Sequence, residues 1–224
     1  MKVGRSKTSP VRNPRQSRER ILEAALKEFA ANGFAGARVD AIARRARINK
    51  RMLYHYFGDK EDLFREVLRR KMEERIAWLA SAPEDPLERL PFWFRLACRD
   101  REWIRLLEWE ALHWGERKTI DEEHRREGFA RALDRFRKLQ ARGLLSSEFD
   151  VGQLMLSMMA LTAYPAAFPQ LTRLATGLSI SDPRFQKNRE AFLRRFAAAF
   201  QTVSATPAPT AAPSSSHHKK SALK

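Results

Sequence analysis

Residues 39–57, VDAIARRARINKRMLYHYF, constrain this chain more than any other stretch. Val39, Ile42, Ala43 and Ala46 recur at helical spacing over two turns. Ile48 follows, and Asn49, a good N-cap residue, opens a second short helix whose inward residues are Leu53 and Phe57. Two short helices joined by a few residues are the sequence form of a helix-turn-helix. On the second helix Lys50, Arg51, Tyr54 and His55 stand at i, i+1, i+4 and i+5, so they share the outward side. Two cations, a phenol and an imidazole on one face suit a polyanion whose base edges present acceptors in a major groove. An ordinary solvated helix face has the same pattern, and periodicity alone does not separate the two.

Charge distribution favours the polyanion. The formal charge is +16, and residues 1–60 hold fifteen Lys or Arg against five acids, while residues 61–203 hold twenty-five against twenty-two. A surface that releases DNA counterions requires this concentration around the motif; a membrane-surface protein would spread it.

The flanks carry a more specific signal. RINKRMLYHYFGDKEDLF resembles the DNA-binding segment of the TetR (tetracycline-repressor) family, with its L-Y-x-x-F followed by a Lys that opens the next helix. The resemblance runs from about Ser17 to about Leu68 and includes Asn32-Gly33-Phe34 and the Ile42-Ala43 pair. It departs from the family at two positions. Arg47 replaces the usual turn glycine, at a cost of about 1 kcal/mol or somewhat more if φ is positive there. Arg38 replaces a capping Ser or Thr, whose bond is worth about 1 kcal/mol. Both changes add positive charge near the expected phosphate surface. The resemblance implies a homodimeric, ligand-responsive transcriptional regulator, most often a repressor, on a palindromic operator. It makes Lys50 and Arg51 base readers or groove cations and His55 a secondary base contact. Tyr54 and Lys60 become phosphate anchors, with Arg47 and Asn49 completing the DNA-facing set.

The remaining chain reads as all-α. Residues 1–16, rich in Lys, Arg, Ser and Pro, are expected to form a disordered basic arm whose Lys2, Arg5, Lys7, Arg12 and Arg15 either enter a minor groove or merely solubilise. Ser17 is expected to cap a first helix over 18–32, with Gly33 ending it. The DNA-binding domain is assigned to 17–62 and a helical regulatory and dimerisation domain to 63–203, joined by a helix over about 59–80. Further helices are expected over 87–98, 101–114, 121–141, 151–163, 166–175 and 183–201, punctuated by Gly and Pro. Residues 204–224, with Pro, Ala, Ser and His217-His218, read as a disordered tail.

Enzymatic signatures are missing: there is no P-loop, no G-x-G-x-x-G after a strand and no G-x-S-x-G. No cofactor or metal is expected; His113 and Glu116, with Asp121 to His124 nearby, fit a solvated loop better than a ligand set. The single cysteine, Cys98, allows no internal disulfide and sits where a thiol is a small core group. The apolar run 154–168 is too short for a membrane span and contains Pro165, and no apolar run follows the basic N-terminus before Ile21, so a cytoplasmic protein is expected.

Two clusters suggest further surfaces. Trp93, Trp103, Trp109 and His113 on two successive helices, with Met155, Met159 and Thr162 as an opposing wall, form a candidate pocket for a small-molecule effector; core filling is the competing account. Phe185, Phe192, Phe196 and Phe200 line one side of the last helix as a candidate dimer seam. Two functions compete with the regulator: a sequence-tolerant DNA-coating protein, and a helical small-molecule carrier or enzyme in which the basic end is incidental.

Overall fold

The structure, a computed structural model, describes residues 13–203, with side chains described except at 79–80 and 200–203. Among the described residues there are ten helices and no strand. Most of the expected basic arm, residues 1–12, and the tail 204–224 lie outside the described residues.

The first helix begins earlier than the sequence suggests. Asn13 caps α1 (Pro14–Gly36), its side chain accepting from the Arg15 amide at 3.1 Å. Pro14 stands where a missing N–H is harmless and a preset φ helps, so the Asn-Pro pair outcompetes Ser17 as a start. Ser17 is instead buried one turn inside the helix. Gly33 (φ 68°, ψ 178°) bends α1 rather than ending it, and a last turn runs on to Gly36.

Arg47 closes α2 (Val39–Ala46) at φ 55° and ψ 46°, and the Ile48 amide reaches back to the Ala43 carbonyl at 3.0 Å. This is a left-handed helix stop of the kind glycine usually fills. Arg38 makes no side-chain cap. Asn49 caps α3 (Lys50–Phe57) through the Met52 amide at 2.9 Å. Asp59 caps α4 (Lys60–Ala80) by accepting from the Asp62 amide at 2.8 Å.

Six helices follow: α5 (Pro86–Arg99), α6 (Arg101–Trp114), α7 (Glu122–Ala141), α8 (Val151–Ala167), α9 (Pro169–Thr176) and α10 (Pro183–Val203). Pro165, expected to stop a helix, lies inside α8. Proline cannot donate to the carbonyl four residues back. That carbonyl, on Leu161, accepts instead from the Arg189 guanidinium at 2.7 Å, so the helix continues. It ends at Phe168, where α9 leaves at 88°. No single helix among the described residues is long and apolar enough to cross a membrane; only the bent α8–α9 pair is so by length and composition.

Ile21, Phe29, Ile42, Leu53 and Phe64 are fully buried, as are Phe94, Leu106 and Leu193, and all belong to one continuous apolar cluster. The boundary expected at 62/63 therefore falls inside α4, and packing of α1 on α6 carries the core across it. A buried ion pair, Lys71 Nζ to Asp100 Oδ1 at 2.8 Å, ties the middle of α4 to the α5–α6 corner.

Candidate nucleic-acid interface

The short second helix of the motif is held by what lies beneath it. Leu53 and Phe57 are buried on α1 and α4, which leaves Lys50, Arg51, Tyr54 and His55 exposed together on the opposite side of α3. Lys50 is not unengaged: its ammonium lies 3.1 Å from Asp40 of α2, and that carboxylate raises its pKa. Arg51 forms no ion pair among the described residues. Asn49 uses its carboxamide oxygen as the helix cap. Arg47 is exposed in the turn, beside the exposed Arg44 and Arg45 that the sequence reading passed over.

Lys60 sits differently from the others. It is half-buried, with its ammonium 5.0 Å above the Phe34 ring and 3.4 Å from the Ala35 carbonyl. Loss of water around it lowers its pKa, partly offset by the charge of Glu28. It lies at the N-terminus of α4, where unpaired amides attract anions.

Glu28 is a positioning residue missing from the sequence reading. Only 6% exposed, it accepts from the Arg38 amide at 3.3 Å and from the Asn32 side chain at 3.1 Å, so α1 fixes the residue from which α2 starts. The signal was available: an acid at position 28 lies on the buried side of a stripe that includes Ala25 and Phe29.

The aromatic cluster expected to line a pocket makes packing contacts. The Trp109 indole N–H donates to the Ala30 carbonyl at 3.2 Å, and its ring covers Gly33. Trp103 is buried with the Arg75 guanidinium 5.4 Å from its ring. His113 packs on Trp114 and Phe34, while Trp93 is half-buried against Phe92. The Thr162 hydroxyl returns to the Met158 carbonyl; Met155 is half-buried and Met159 exposed. None of these seven residues lines the cavity beside α8.

A cavity of about 850 Å³ lies instead between α5, α7, α8 and α10. Leu90, Leu139, Leu154, Met158, Leu161 and Phe196 form much of its apolar wall, with Arg89 and Gln153 among the polar residues. Helix α8 is apolar nearly all round, so its sequence does not say which stripe faces a cavity; packing turns 154, 158 and 161 to the cavity, buries Thr162 away from it and leaves Met159 exposed.

The expected seam on α10 is divided in the same way. Phe185 is buried against Phe94 with ring centres 6.2 Å apart, and Phe196 faces the cavity. Phe192 is exposed, and the Phe200 side chain lies outside the described residues. Burial pushes the Cys98 thiol up to about 11. Among the described residues no three His, Cys, Asp or Glu side chains gather as a metal site. Asp121 is instead held by Arg69 through two hydrogen bonds of 3.0 and 3.2 Å.

A helix-turn-helix with a basic, outward second helix, mounted on a larger helical body, defines a DNA-binding regulator. Comparison with known proteins agrees. Residues 21–67 match the family model for bacterial regulatory proteins of the tetR family, and residues 92–198 match the tetracyclin repressor-like C-terminal domain. The chain is 36% identical over 170 residues to the HTH-type transcriptional repressor SCO4008 of Streptomyces coelicolor, covering 74% of this chain and 86% of that one. It is also 36% identical over 107 residues to the HTH-type transcriptional repressor NicS of Pseudomonas putida, covering 45% and 50% of the two chains. The solved structure of SCO4942 from Streptomyces coelicolor, described as a transcriptional regulator, superposes with a TM-score of 0.66 at 28% identity, over 82% of this chain and 97% of that one. The chain belongs to the TetR family of transcriptional regulators, which are not enzymes.

Proposed function

We propose that this regulator is a ligand-responsive repressor that binds a palindromic operator as a homodimer. The observation that carries the reading is the exposed set Lys50, Arg51, Tyr54 and His55 on a rigidly seated α3 in a chain of this family. In this reading Arg51 and Lys50 enter the major groove, Lys50 exchanging Asp40 for DNA, and His55 adds a secondary base contact. Tyr54, Lys60 and Arg47 hold phosphates, while Asn49 acts mainly by starting the helix.

Exposed apolar side chains support self-association. Leu156, Met159 and Tyr164 on α8, Phe168 at the corner, and Phe192 on α10 are all more than one-third exposed. A patch of this kind on a soluble helical body marks an interface. Two copies joined there would present two α3 helices to half-sites about one helical turn apart. The cavity beside α8 is of the size that takes small ligands, about 300–1,000 Å³. An effector there would act on DNA through α4, which the Lys71–Asp100 pair ties to the α5–α6 corner.

Footprinting on the DNA upstream of the chain's own coding sequence tests the reading. A discrete two-fold-symmetric footprint, lost in Arg51→Ala, supports it. Uniform protection of all duplexes, unaffected by that change, would replace it with sequence-tolerant DNA coating.

A further inference from the structure

Arg89 stands on the wall of the 850 Å³ cavity. Its Nε is buried without a hydrogen-bond partner, and among the described residues the side chain forms no ion pair. Burial, together with the positive charges of Arg135 and Arg142, holds its pKa below the ordinary value; Glu84 works in the opposite direction without pairing to it. A buried donor left unpaired is costly, and five N–H groups with no acceptor capacity can be satisfied only by acceptors.

We infer that the effector is an amphipathic anion, an apolar body ending in a carboxylate or similar oxyanion, and that Arg89 recognises its charged end. This rests on the reading of the cavity as the effector site. The rest of the wall fits such a molecule. Leu90, Leu139, Leu154, Met158 and Phe196 offer an apolar surface for the body. Glu148 and Asp150 also line the cavity and would oppose an anion placed beside them. Asp150, however, is the N-cap of α8, its carboxylate accepting from the Gln153 amide at 2.9 Å, where the helix N-terminus balances its charge. Glu148 is exposed. Solvent therefore screens Glu148, the half-buried guanidinium is the least screened charge of the wall, and a cationic ligand would be opposed by Arg89 and by the positive charges of Arg135 and Arg142 that act on it.

Titration calorimetry on the full chain tests this with matched probes of two apolar shapes: dodecanoate against dodecanol and dodecylammonium, and 2-naphthoate against 2-naphthol. For at least one shape the acid is expected to bind roughly ten- to a hundredfold tighter than its neutral match, the value of a charge-assisted hydrogen bond. Arg89→Leu should reduce the acid to the level of the alcohol, and Arg89→Lys should restore part of the difference. Leu161→Trp, which fills the cavity, should weaken every probe that binds. The wild-type series alone is decisive if Arg89→Leu does not fold. If alcohol or amine equals the acid while Leu161→Trp still weakens binding, the cavity remains the effector site and the assignment to Arg89 is overturned. If no probe binds, or Leu161→Trp changes nothing, the cavity reading fails and this inference fails with it.

Discussion

Trp109 lies across Gly33, with two of its ring carbons 2.8 Å from where a Cβ on Gly33 would stand. The same indole donates to the Ala30 carbonyl, so α6 of the C-terminal part grips α1 of the helix-turn-helix part at its bend. Glycine is required twice here, by φ 68° and by the ring. Gly33→Ala should cost about 1–3 kcal/mol from the backbone alone, because φ 68° with ψ 178° is a region essentially reserved for glycine. That lowers Tm by roughly 2–12 °C in a chain of this size, before the clash is counted. Thermal unfolding followed by circular dichroism reads the effect, and an unchanged Tm would remove Trp109 from the account of how the two parts are joined.

Glu28 should matter to DNA binding without touching DNA. Its buried carboxylate holds the Arg38 amide and the Asn32 side chain where α2 begins. Glu28→Ala leaves those donors unpaired, for which about 1–3 kcal/mol is expected. Loss of operator affinity should accompany the loss of stability, while Glu28→Gln should keep much of both. Parallel melting and gel-shift titrations check this.

If Lys50 enters the groove as proposed, Asp40 competes with DNA for it. The raised Lys50 pKa reflects its hydrogen bond and charge pairing with Asp40 in the free protein. Asp40→Asn removes this partner and one negative charge from the proposed DNA-facing side. Operator affinity should rise by a few-fold at low salt, the gain shrinking as salt is added. Fluorescence anisotropy across a salt series gives the answer; a drop in affinity would mean that Asp40 positions Lys50 instead of restraining it.

Arg47 trades stability for charge. At φ 55° it occupies a region that costs an L-residue about 1–2 kcal/mol. Arg47→Gly should raise Tm, since its backbone accepts that conformation freely. If Arg47 also holds a phosphate, the same variant should bind DNA more weakly and reduce the salt slope by about 0.9. A variant both more stable and a weaker binder is the expected result, from one melting curve and one salt titration.

Cys98 sets a pH window for stability. Its thiol is pushed up to about 11 from an ordinary 9.0, first by burial, with Glu190 adding to the rise and Arg101 opposing it. Between these values the folded chain holds a proton that the unfolded chain has released. The stability contribution is therefore complete below pH 9 and lost as pH rises through 11. Denaturant melts from pH 8 to 11 should show this decline in the wild type and less of it in Cys98→Ala. The native thiol should also react with thiol reagents far more slowly than the unfolded one.

What the sequence determined by itself is local. The cap at Asn49, the missing cap at Arg38 and the outward quartet on α3 each follow from residues within a turn or two of one another, while the positive φ at Arg47 is expected only through the resemblance to the family. Tertiary structure decided wherever a helix had more than one face to offer. The apolar girdle of α8 does not announce that Leu154, Met158 and Leu161 turn toward a cavity, and the tryptophans of α5 and α6 do not announce that α1 claims one of them. Pro165 reads as a stop because the donor that rescues its helix, Arg189, is distant in the chain. Hydrogen bonds and strain within a turn are written in neighbouring residues, whereas the choice among equivalent apolar faces is made by the elements that pack against them, at separations that periodicity does not record.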